Sequence, residues 1–539
     1  MTIAGAADRS AQHRVLVVLL LICALGLLLR IYHVAAAVAI SPDSALFIGY
    51  ARELAEDPIA ALKQHDQHPL YPSLILLFHG LVGWMAGSGS AAWIVAGRLV
   101  AIAGSLGAIL ALYWFTARLY DRPRGLIAAG LLAVLPDACR YGADVLTDLP
   151  HLSLYLVGLA ALLAGMQTHA ARYLLLAAAA AGLAFLTRPE GAAILPVSLA
   201  VVALHRDWPL KRRAGLVAAM VTVFFCLVGP YQLATGRLIQ KKSPLELFKL
   251  DVTARLETPA TTPGSPCHAP DREWSSAERA ALATTLPVPV NVLRQWVRAG
   301  RVVYILLAIL GLVVARPGGV GGRILALALG IHLLLLYALE TRYGYLDRRH
   351  ALILVTLALP VAAAGAWWLA DRIGRRAATA PDALRRRAVV GIVTVCVLAT
   401  SPWLLRPINP GEEHVIASAR WLAEHTPPGT LIVTDSRLRR VALYADRPYA
   451  EWPWWNGGVR DLAAFLGKHA KDTPACRFVV DSRHITLPER NPTFFEQLDD
   501  QLGDRLSLLH TEPSPPHAKH ATEIRIYRYR AQRASPASR

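Results

Sequence analysis

The sequence predicts a polytopic α-helical membrane protein with a small α/β domain at its C-terminal end. Hydrophobic residues make up 54% of the 539 residues and charged residues only 17%, and the mean hydropathy is +0.38. Apolar runs long enough to cross a bilayer recur up to about residue 405. Beyond that point short apolar strands alternate with amphipathic helices, which is the pattern of an α/β domain.

Hydropathy predicts about eleven membrane-spanning helices. The expected spans are residues 15–39, 92–117, 124–137, 148–166, 173–187, 190–205, 214–234, 301–316, 323–340, 350–370 and 388–405. The first run is too long for the apolar part of a cleavable signal peptide and lacks a small-residue cleavage site. We therefore expect it to remain as the first span.

Lys and Arg residues alternate between the loops in a pattern in which every loop assigned to the inner side is net basic. Lys and Arg residues precede the first span and follow the second, fourth, sixth, eighth and tenth spans. The positive-inside rule therefore places the N-terminus in the cytoplasm and, with an odd number of spans, the C-terminal segment outside. This distribution accounts for the formal net charge of +18, so nucleic acid is not an expected partner.

The first outer loop, residues 41–91, begins with a carboxylate at the water–lipid boundary. Asp43 directly follows the first apolar run, and apolar residues then recur at helical spacing. The pattern predicts an amphipathic helix on the membrane surface. Asp43 is either the N-cap of this helix or a carboxylate that takes part in a reaction. The Pro-containing segment 68–72 introduces a second apolar stretch, about 73–86, which is expected to form another interfacial helix.

Charged residues also mark two short outer loops. Asp137, Asp144 and Asp148 lie between the third and fourth spans, and Asp148 begins the fourth. Arg188 and Glu190 lie between the fifth and sixth spans, with almost no loop around them. Charges at such depth are costly and usually face a water-filled cavity or one another. Arg188 and Glu190 therefore either line a cavity or form a structural pair.

Basic residues in two further outer segments indicate an anionic ligand. Three of them lie between the ninth and tenth spans: Arg342, Arg348 and Arg349. Lys241 begins the long outer segment 236–300. The positive-inside rule disfavours basic residues on this side, and guanidinium groups match phosphate geometry. The alternative is that Arg348 or Arg349 pairs locally with Asp347 or Glu340.

The segment after the last span reads as a small domain. An amphipathic helix ends at Pro427-Pro428-Gly429 and is followed by strand LIVTD, helix DLAAFLGKHA, strand CRFVVDS, helix TFFEQLDDQL, and strands LSLLHTE and TEIRIYRYR. It shows no Gly-rich phosphate loop and no catalytic triad. We expect an accessory domain that either holds an acceptor or acts as a structural cap. The tail, 531–539, is expected to be disordered.

The outer face thus combines carboxylates with cations around a membrane-level cavity. A carboxylate can deprotonate an acceptor hydroxyl, and Arg stabilises a departing phosphate. These residue types suit transfer of a group from a lipid-linked phosphate. Two other classes remain open, a transporter or lipid flippase and a non-catalytic scaffold. A transporter predicts internal repeats, and none is visible in the sequence.

Several motifs occur in a familiar order. They are Asp43 with the YAREL-like end of the helix after it (Tyr50–Leu54), HPLYP (His68–Pro72), the acidic position at Asp148, LTRPEG (Leu186–Gly191), and RRHALILVTLALP from Arg348, with His350 where Tyr is usual. Together they resemble the GT-C fold glycosyltransferases, in the bacterial branch of protein mannosyltransferases and aminoarabinose transferases. The resemblance covers about 1–405 well and the C-terminal domain only in layout.

This resemblance implies an activity and a location. It implies an inverting transfer of a sugar from a polyprenyl-phosphate donor to a lipid, glycan or protein acceptor, with no required cofactor. It also implies a catalytic transmembrane domain over 1–405 and an extracytoplasmic accessory domain over 406–530, in the inner membrane of a bacterium.

The resemblance also implies roles for individual residues. The catalytic carboxylates would be Asp43, as general base, and Asp148. The donor phosphate would be bound by Arg349, Arg188 and Lys241. The substrate would be positioned by His68, Tyr71 and Glu190.

A divalent metal is a weaker expectation. Some relatives bind a divalent ion nearby, and the candidate ligands here are His65, Asp66 and His68. Their spacing is not diagnostic of a metal site, and the implied mechanism does not need one.

Overall fold

The computed structural model describes residues 3–87, 89–236, 287–343, 346–376, 381–452, 459–472, 476–481, 494–518 and 522–530. The helices of the first half are α1 (Ile3–Ala36), α2 (Pro42–Glu56), α3 (Pro58–Gln64), α4 (Leu70–Ala86), α5 (Ser90–Leu119), α6 (Arg122–Ala133), α7 (Pro136–Tyr141), α8 (Asp148–Thr168), α9 (Ala171–Thr187), α10 (Ile194–Ala203) and α11 (Leu210–Thr235). A 3-10 turn, Pro189–Ala193, leads into α10. They are followed by α12 (Val288–Val314), α13 (Gly319–Tyr343), α14 (Leu352–Gly374) and α15 (Pro381–Leu404).

Eight of the described helices are long and apolar enough to cross a membrane, judged by length and composition. They lie in α1, α5, α8 and α11 to α15, and each overlaps a predicted span. Helix α12 begins at Val288, well ahead of the start predicted at residue 301, so the last part of the expected outer segment 236–300 is helical. Two more predicted spans, 173–187 and 190–205, coincide with shorter apolar helices, α9 and α10. The chain is therefore a multi-pass membrane protein, as its sequence predicts.

The predicted span 124–137 is a shorter element than expected. It consists of the 12-residue α6, followed directly by α7. Twelve helical residues rise about 18 Å, which is less than the roughly 30 Å of a hydrocarbon core. Pro136 begins α7, and a proline favours a new helix start over a continued one.

The helical core is built on close approaches at small residues. Helix α5 packs along α8, and α12 packs along α14. A methyl group at Gly104 of α5 would lie 2.6 Å from the backbone nitrogen of Pro150 in α8. Small residues let helix backbones approach in this way in membrane proteins. This contact fixes the first turn of α8, where Asp148 lies.

The C-terminal region forms the predicted α/β domain. Its elements are α16 (Glu413–His425), β1 (Leu431–Thr434), α17 (Arg439–Tyr444), β2 (Tyr449–Glu451), α18 (Val459–Asp472), β3 (Cys476–Asp481), α19 (Phe494–Leu502), β4 (Leu506–Pro513) and β5 (Glu523–Tyr529). The sheet order is β2-β1-β3-β5-β4. Strands β2, β1 and β3 are parallel, whereas β5 pairs antiparallel with β3 and β4. Every predicted element is present, and the short α17 and β2 are additional.

The C-terminal domain contacts the chain just ahead of α2. Arg440 Nη1 donates to the carbonyl oxygen of Ile40 over 2.9 Å, and the Ile40 N–H donates to Tyr444 Oη over 2.8 Å. Asn409 Nδ2 donates to the carbonyl oxygen of Ala39 over 2.9 Å. The domain therefore holds the backbone of the segment that leads into Asp43.

Candidate active site

Asp43 lies in the first turn of α2, at the exit of the first span. Ser41 occupies the N-cap position and Pro42 the first helical position, where the fixed φ of proline suits a helix start. The interpretation of Asp43 as the N-cap is therefore wrong. Its Oδ2 instead accepts a hydrogen bond of 2.7 Å from Arg349 Nη1, and 43% of its side chain is exposed.

Asp148 begins α8 and is buried between two guanidinium groups. Its Oδ1 accepts a hydrogen bond of 2.7 Å from Arg188 Nη1 and lies 3.9 Å from Arg349 Nε. Its side chain is only 3% exposed. A buried carboxylate is tolerated when cations neutralise it, so Asp148 holds the two arginines on one side of the site.

Arg188 and Glu190 meet in the tight turn between α9 and α10. Arg188 donates through Nη2 to Glu190 Oε1 over 3.1 Å and through Nε to Glu190 Oε2 over 3.4 Å. Gly191 permits the turn, since a Cβ there would lie 2.3 Å from the backbone carbon of Ala184. The two interpretations of Arg188 and Glu190 are compatible, because the pair is formed and both residues line a cavity.

Five side chains thus form one chain of alternating charge. The order is Asp43, Arg349, Asp148, Arg188 and Glu190. Each arginine contacts two carboxylates. If another anion replaces one of these carboxylates, the other can still hold the guanidinium in place. Arg188 thus contacts one carboxylate of its own turn, Glu190, and one from another segment, Asp148. Arg349 contacts two carboxylates from distant segments, Asp43 and Asp148.

The cavity beside this chain is lined by acid, base and aliphatic groups. Its lining residues are Asp148, His151, Leu152, Arg188, Glu190, His332, Arg349, His350, Leu352 and Ile353. Its cations and carboxylates lie beside apolar side chains, and such low-dielectric surroundings strengthen the charge interactions made there.

His350 contributes a neutral ring to the cavity. Burial, together with the charges of Arg188 and Arg349, lowers the pKa of His350 to about 4. The Asp347 N–H lies 3.2 Å from His350 Nδ1, which accepts its hydrogen bond. A neutral imidazole that accepts at Nδ1 carries its proton on Nε2, so this ring offers one donor.

His68 and Tyr71 lie in different places. The His68 ring is buried edge-on against Phe185, with 4.7 Å between ring centroids, and Glu190 is among the charges that act on it. Tyr71 is fully buried, and its hydroxyl donates to the carbonyl oxygen of Gly97 in α5 over 3.2 Å. His68 thus packs on Phe185, next to the turn that carries Arg188 and Glu190. Tyr71 packs α4 against α5, and neither residue lines the cavity.

The candidate metal ligands are not gathered. His65 Nε2 lies 2.8 Å from Glu53 Oε2, and its ring stacks on Tyr50 with centroids 4.1 Å apart. Within the residues that the structure describes, no three His, Cys, Asp or Glu side chains are grouped as metal ligands would be. Lys241 and most of the segment 236–300 lie outside the described residues.

Several residues of the site were not predicted from the sequence. His151 is three residues after Asp148, hence on the same helical face. His332 lies within an apolar span, where a polar residue marks a site, and its Nε2 is 3.2 Å from the carbonyl oxygen of His350. Both positions carried a readable signal. The pairing of Asp137 with Arg348 and of Asp144 with Ser41 carried no such signal, because the partners lie on distant segments.

Part of the chain matches a known protein family. Residues 69–231 match the family model described as dolichyl-phosphate-mannose-protein mannosyltransferase. Among curated proteins, none matches the sequence. The matched residues include Asp148, LTRPEG and the last four residues of HPLYP (Pro69–Pro72), but not His68.

Solved structures share the fold over nearly the whole chain. ArnT from Cupriavidus metallidurans bound to undecaprenyl phosphate has a TM-score of 0.60 and 13% identity, covering 94% of this chain and 97% of ArnT. The apo structure of ArnT has a TM-score of 0.58 and 14% identity, and the match covers 96% of this chain and 98% of ArnT. The archaeal oligosaccharyltransferase AglB from Archaeoglobus fulgidus, in complex with an inhibitory peptide and a dolichol-phosphate, has a TM-score of 0.56 and 12% identity. The match covers 98% of this chain and 75% of AglB. The chain therefore has a GT-C fold, and its resemblance to the membrane glycosyltransferases of the protein-mannosyltransferase and aminoarabinose-transferase branch is confirmed.

Proposed function

We propose that this protein is a membrane glycosyltransferase that moves a sugar from a polyprenyl-phosphate donor to an acceptor hydroxyl, with inversion. The observation that carries the proposal is the position of Arg349, within 2.7 Å of Asp43 and 3.9 Å of Asp148 at the wall of the cavity. A phosphate-binding cation and a base thus lie side by side. Family model and shared fold support the same reaction class.

The donor phosphate would be bound by Arg349 and Arg188, with Lys241 as a third cation. Arg349 contacts the half-exposed Asp43 on one side and the buried Asp148 on the other. An incoming phosphate can therefore take the place of Asp43 on Arg349 while Asp148 keeps the guanidinium in position. Guanidinium binds phosphate through two parallel hydrogen bonds, which makes this exchange favourable.

The exchange would free Asp43 to act as general base. Asp43 accepts the proton of the acceptor hydroxyl as its oxygen bonds to the anomeric carbon of the sugar. The bond from that carbon to the phosphate oxygen breaks at the same time, and the electron pair leaves with polyprenyl phosphate. Arg349 and Arg188 stabilise the charge that develops on this leaving group. A single displacement of this kind inverts the anomeric configuration.

The remaining residues take supporting roles in the proposal. Asp148 fixes both arginines, and Glu190 fixes Arg188, which it contacts through both carboxylate oxygens. His68 supports the turn of Glu190, and the Nε2–H of His350 is a further donor for the substrate. The scheme needs no metal, because the arginines supply the positive charge that the phosphate requires.

The proposed setting is the extracytoplasmic side of a bacterial inner membrane, with the N-terminus in the cytoplasm. ArnT has been captured with undecaprenyl phosphate and AglB with a dolichol-phosphate, which supports a lipid-phosphate donor here. The C-terminal domain, which contacts Ile40, faces the acceptor side of Asp43 in this proposal and is its accessory part.

The test is release of polyprenyl phosphate by purified protein in nanodiscs, offered a panel of radiolabelled polyprenyl-phosphate sugars and a crude membrane extract as acceptor. Wild type is expected to consume one of these sugars, and Asp43→Asn to slow release about a thousandfold. Asp57→Asn is the matched control, because Asp57 lies in the same loop and caps α3 through hydrogen bonds from Ile59 and Ala60. It is expected to stay within about twofold of wild type, since Asn also caps helices.

Two outcomes would contradict the proposal. Failure of folded wild type to release polyprenyl phosphate from any donor would favour a transporter or flippase. Full activity of Asp43→Asn would remove Asp43 from the role of base. The anomeric configuration of the product, read by NMR, tests inversion separately.

A further inference from the structure

The segment from Pro136 to Asp148 contacts both the start of α2, which carries Asp43, and the turn before α14, which carries Arg349. It links α6 to α8 and carries three buried aspartates, none of which is more than 5% exposed. Asp148 is one member of the charged chain described above. The other two, Asp137 and Asp144, do not line the cavity. Asp144 accepts hydrogen bonds from Ser41 and Ser44, close to Asp43, and Asp137 forms an ion pair with Arg348, next to Arg349.

Asp144 holds the residues on either side of Asp43. Its Oδ2 accepts from the Ser41 N–H over 3.1 Å and from Ser41 Oγ over 2.5 Å. Its Oδ1 accepts from Ser44 Oγ over 3.2 Å and from the Val145 N–H over 2.9 Å. A carboxylate that accepts several hydrogen bonds in a buried place is strongly fixed. Through Ser41 and Ser44, it fixes the first turn of α2.

Asp137 holds the turn that carries Arg349. Its Oδ1 lies 3.6 Å from Arg348 Nη1 and 3.6 Å from Arg301 Nη2. Arg348 directly precedes Arg349, so an ion pair on Arg348 restrains the backbone of Arg349. Asp137 is fully buried, and loss of its charge would leave the nearby guanidiniums without their shared counter-ion.

Arg301 reaches Asp137 from a break in α12. Its φ of 54° and ψ of 151° are non-helical inside an otherwise helical segment, and an L-residue with positive φ is strained. Its guanidinium lies over the ring of Trp403, 4.8 Å from the centroid. The break turns a cation of α12 towards Asp137, and the surrounding contacts must stabilise this conformation.

We propose that Asp144 and Asp137 are positioning residues. Asp144 fixes the position of Asp43, and Asp137 fixes the position of Arg349, so that the two side chains meet. The expected changes in kcat and KM rest on the proposed function, whereas the structural part of the proposal does not. Asp144 acts on the first turn of α2, and Asp137 acts on the turn before α14. Both act from the segment that also carries Asp148, so one piece of backbone aligns base, phosphate clamp and second carboxylate. A misplacement of about 1 Å at such groups can cost about a hundredfold in rate.

The two aspartates are expected to affect different kinetic constants. Asp144→Asn should lower kcat by about ten- to a hundredfold and leave the KM for the donor within about threefold, because it displaces the base and not the phosphate clamp. Asp137→Asn should raise the donor KM by about tenfold or more, because it releases the turn of Arg349. A general loss of folded protein would not separate the two constants in this way.

Hydrogen–deuterium exchange locates the two effects in the molecule without relying on activity. Asp144→Asn should increase amide exchange in residues 41–50, and Asp137→Asn should increase it in residues 346–351. A double variant, Ser41→Ala with Ser44→Ala, should reproduce the effect of Asp144→Asn. Adding Asp144→Asn to it should then cost little more, because the interaction is already lost.

Asp121→Asn is the matched control. Asp121 also caps a helix, α6, where it accepts a hydrogen bond from the Arg124 N–H over 2.9 Å and pairs with the Arg124 side chain. It follows the C-terminal end of α5 and is not among the residues that line the cavity. The control is expected to keep both kinetic constants within about twofold and to leave exchange in 41–50 and 346–351 unchanged.

The proposal is overturned if both variants change kcat and KM alike, or if exchange in 41–50 and 346–351 matches wild type. A wild-type protein that releases no polyprenyl phosphate defeats the proposed function instead. In that case the exchange pattern alone decides whether Asp144 and Asp137 hold these two segments.

Discussion

Arg349 Nη1 donates a 2.7 Å hydrogen bond to Asp43 Oδ2, across 306 positions of sequence. The bond joins the first turn after the first span to the turn that precedes α14. It places the proposed base and the proposed phosphate clamp in direct contact, so each is held ready by the other. In the proposed function, Asp43 and the donor phosphate would therefore compete for the guanidinium of Arg349.

Two substitutions of Arg349 should show how much donor binding depends on its positive charge and how much on its planar pair of hydrogen-bond donors. Arg349→Lys keeps the charge but loses the planar pair of donors, so we expect the donor KM to rise about tenfold. Arg349→Gln loses both, and the KM should rise about a hundredfold or more. Steady-state kinetics with the donor identified in the panel measure both changes.

Arg375→Lys is the control for this substitution. Arg375 pairs with Asp371 over 2.5 Å, with 74% of its side chain exposed, and surface pairs contribute little. Kinetics equal to wild type are expected. Equal kinetics for Arg349→Lys would mean that bidentate phosphate binding is not the role of Arg349.

Arg188 should matter for folding as well as for activity. Arg188→Gln leaves Asp148, 3% exposed, and Glu190 without their shared cation. Removal of one partner of a buried pair costs about 3–5 kcal/mol, so the thermal unfolding temperature in detergent should fall clearly.

A double variant distinguishes the two effects. Arg188→Gln with Asp148→Asn removes the buried charge together with its partner and should recover part of the lost thermal stability. Transferase activity should stay low, because the cation and carboxylate of the site are both gone. If the double variant were no more stable than the single one, the buried pair would not explain the loss.

Acid should destabilise the protein through its buried histidines. Burial lowers the pKa of His68 to about 4 and, with two nearby arginines, that of His350 to about 4. Their unfolded pKa is about 6.5, so between pH 6.5 and 4 the unfolded state binds more protons. Stability is therefore fully present above about pH 6.5 and falls as the pH falls towards 4.

The size of this effect can be measured by substitution. A shift of this kind corresponds to roughly 1–3 kcal/mol for each histidine at acid pH. His68→Gln and His350→Gln should each flatten the fall of the unfolding temperature between pH 6.5 and 4.5. An unchanged slope in both variants would show that these histidines do not titrate as their burial requires.

The Gly191 turn should not tolerate a side chain. A Cβ there would lie 2.3 Å from the backbone carbon of Ala184 and 2.4 Å from the nitrogen of Phe185. Gly191→Ala must therefore shift Arg188 and Glu190, and we expect a loss of about 1–3 kcal/mol and most of the activity. Gly215→Ala is the control, because no atom lies within 4 Å of its Cβ position. In helix α11 this change should be neutral or slightly stabilising.

Much of the fold could be predicted from the sequence because its signals are local. Apolar runs, basic loops and strand–helix alternation identified the long spans and the C-terminal elements. The third predicted span was too long, because apolar composition continued through Pro136 although the helix ends at Ala133. The eighth was predicted to begin at residue 301, although its helix begins at Val288. Helix α17 and strand β2 were missed because three to six residues carry too little pattern.

The site could be predicted only in part. Asp43, Asp148, Arg188 and Arg349 were found because charges beside apolar spans are unusual. Their pairings were not predictable, since a sequence does not say which distant carboxylate faces which guanidinium. The roles of Asp144 on Ser41 and of Asp137 on Arg348 depend on tertiary packing alone.

The most direct test of the account is the affinity of the protein for polyprenyl phosphate, without a sugar, in nanodiscs. Wild type, Asp43→Asn and Arg349→Gln would be titrated at equal lipid composition. If Asp43 competes with phosphate for Arg349, Asp43→Asn should bind about five- to thirtyfold more tightly than wild type, which corresponds to about 1–2 kcal/mol. Arg349→Gln should bind at least about tenfold more weakly. Equal or weaker binding by Asp43→Asn would contradict the exchange of Arg349 between Asp43 and the donor phosphate.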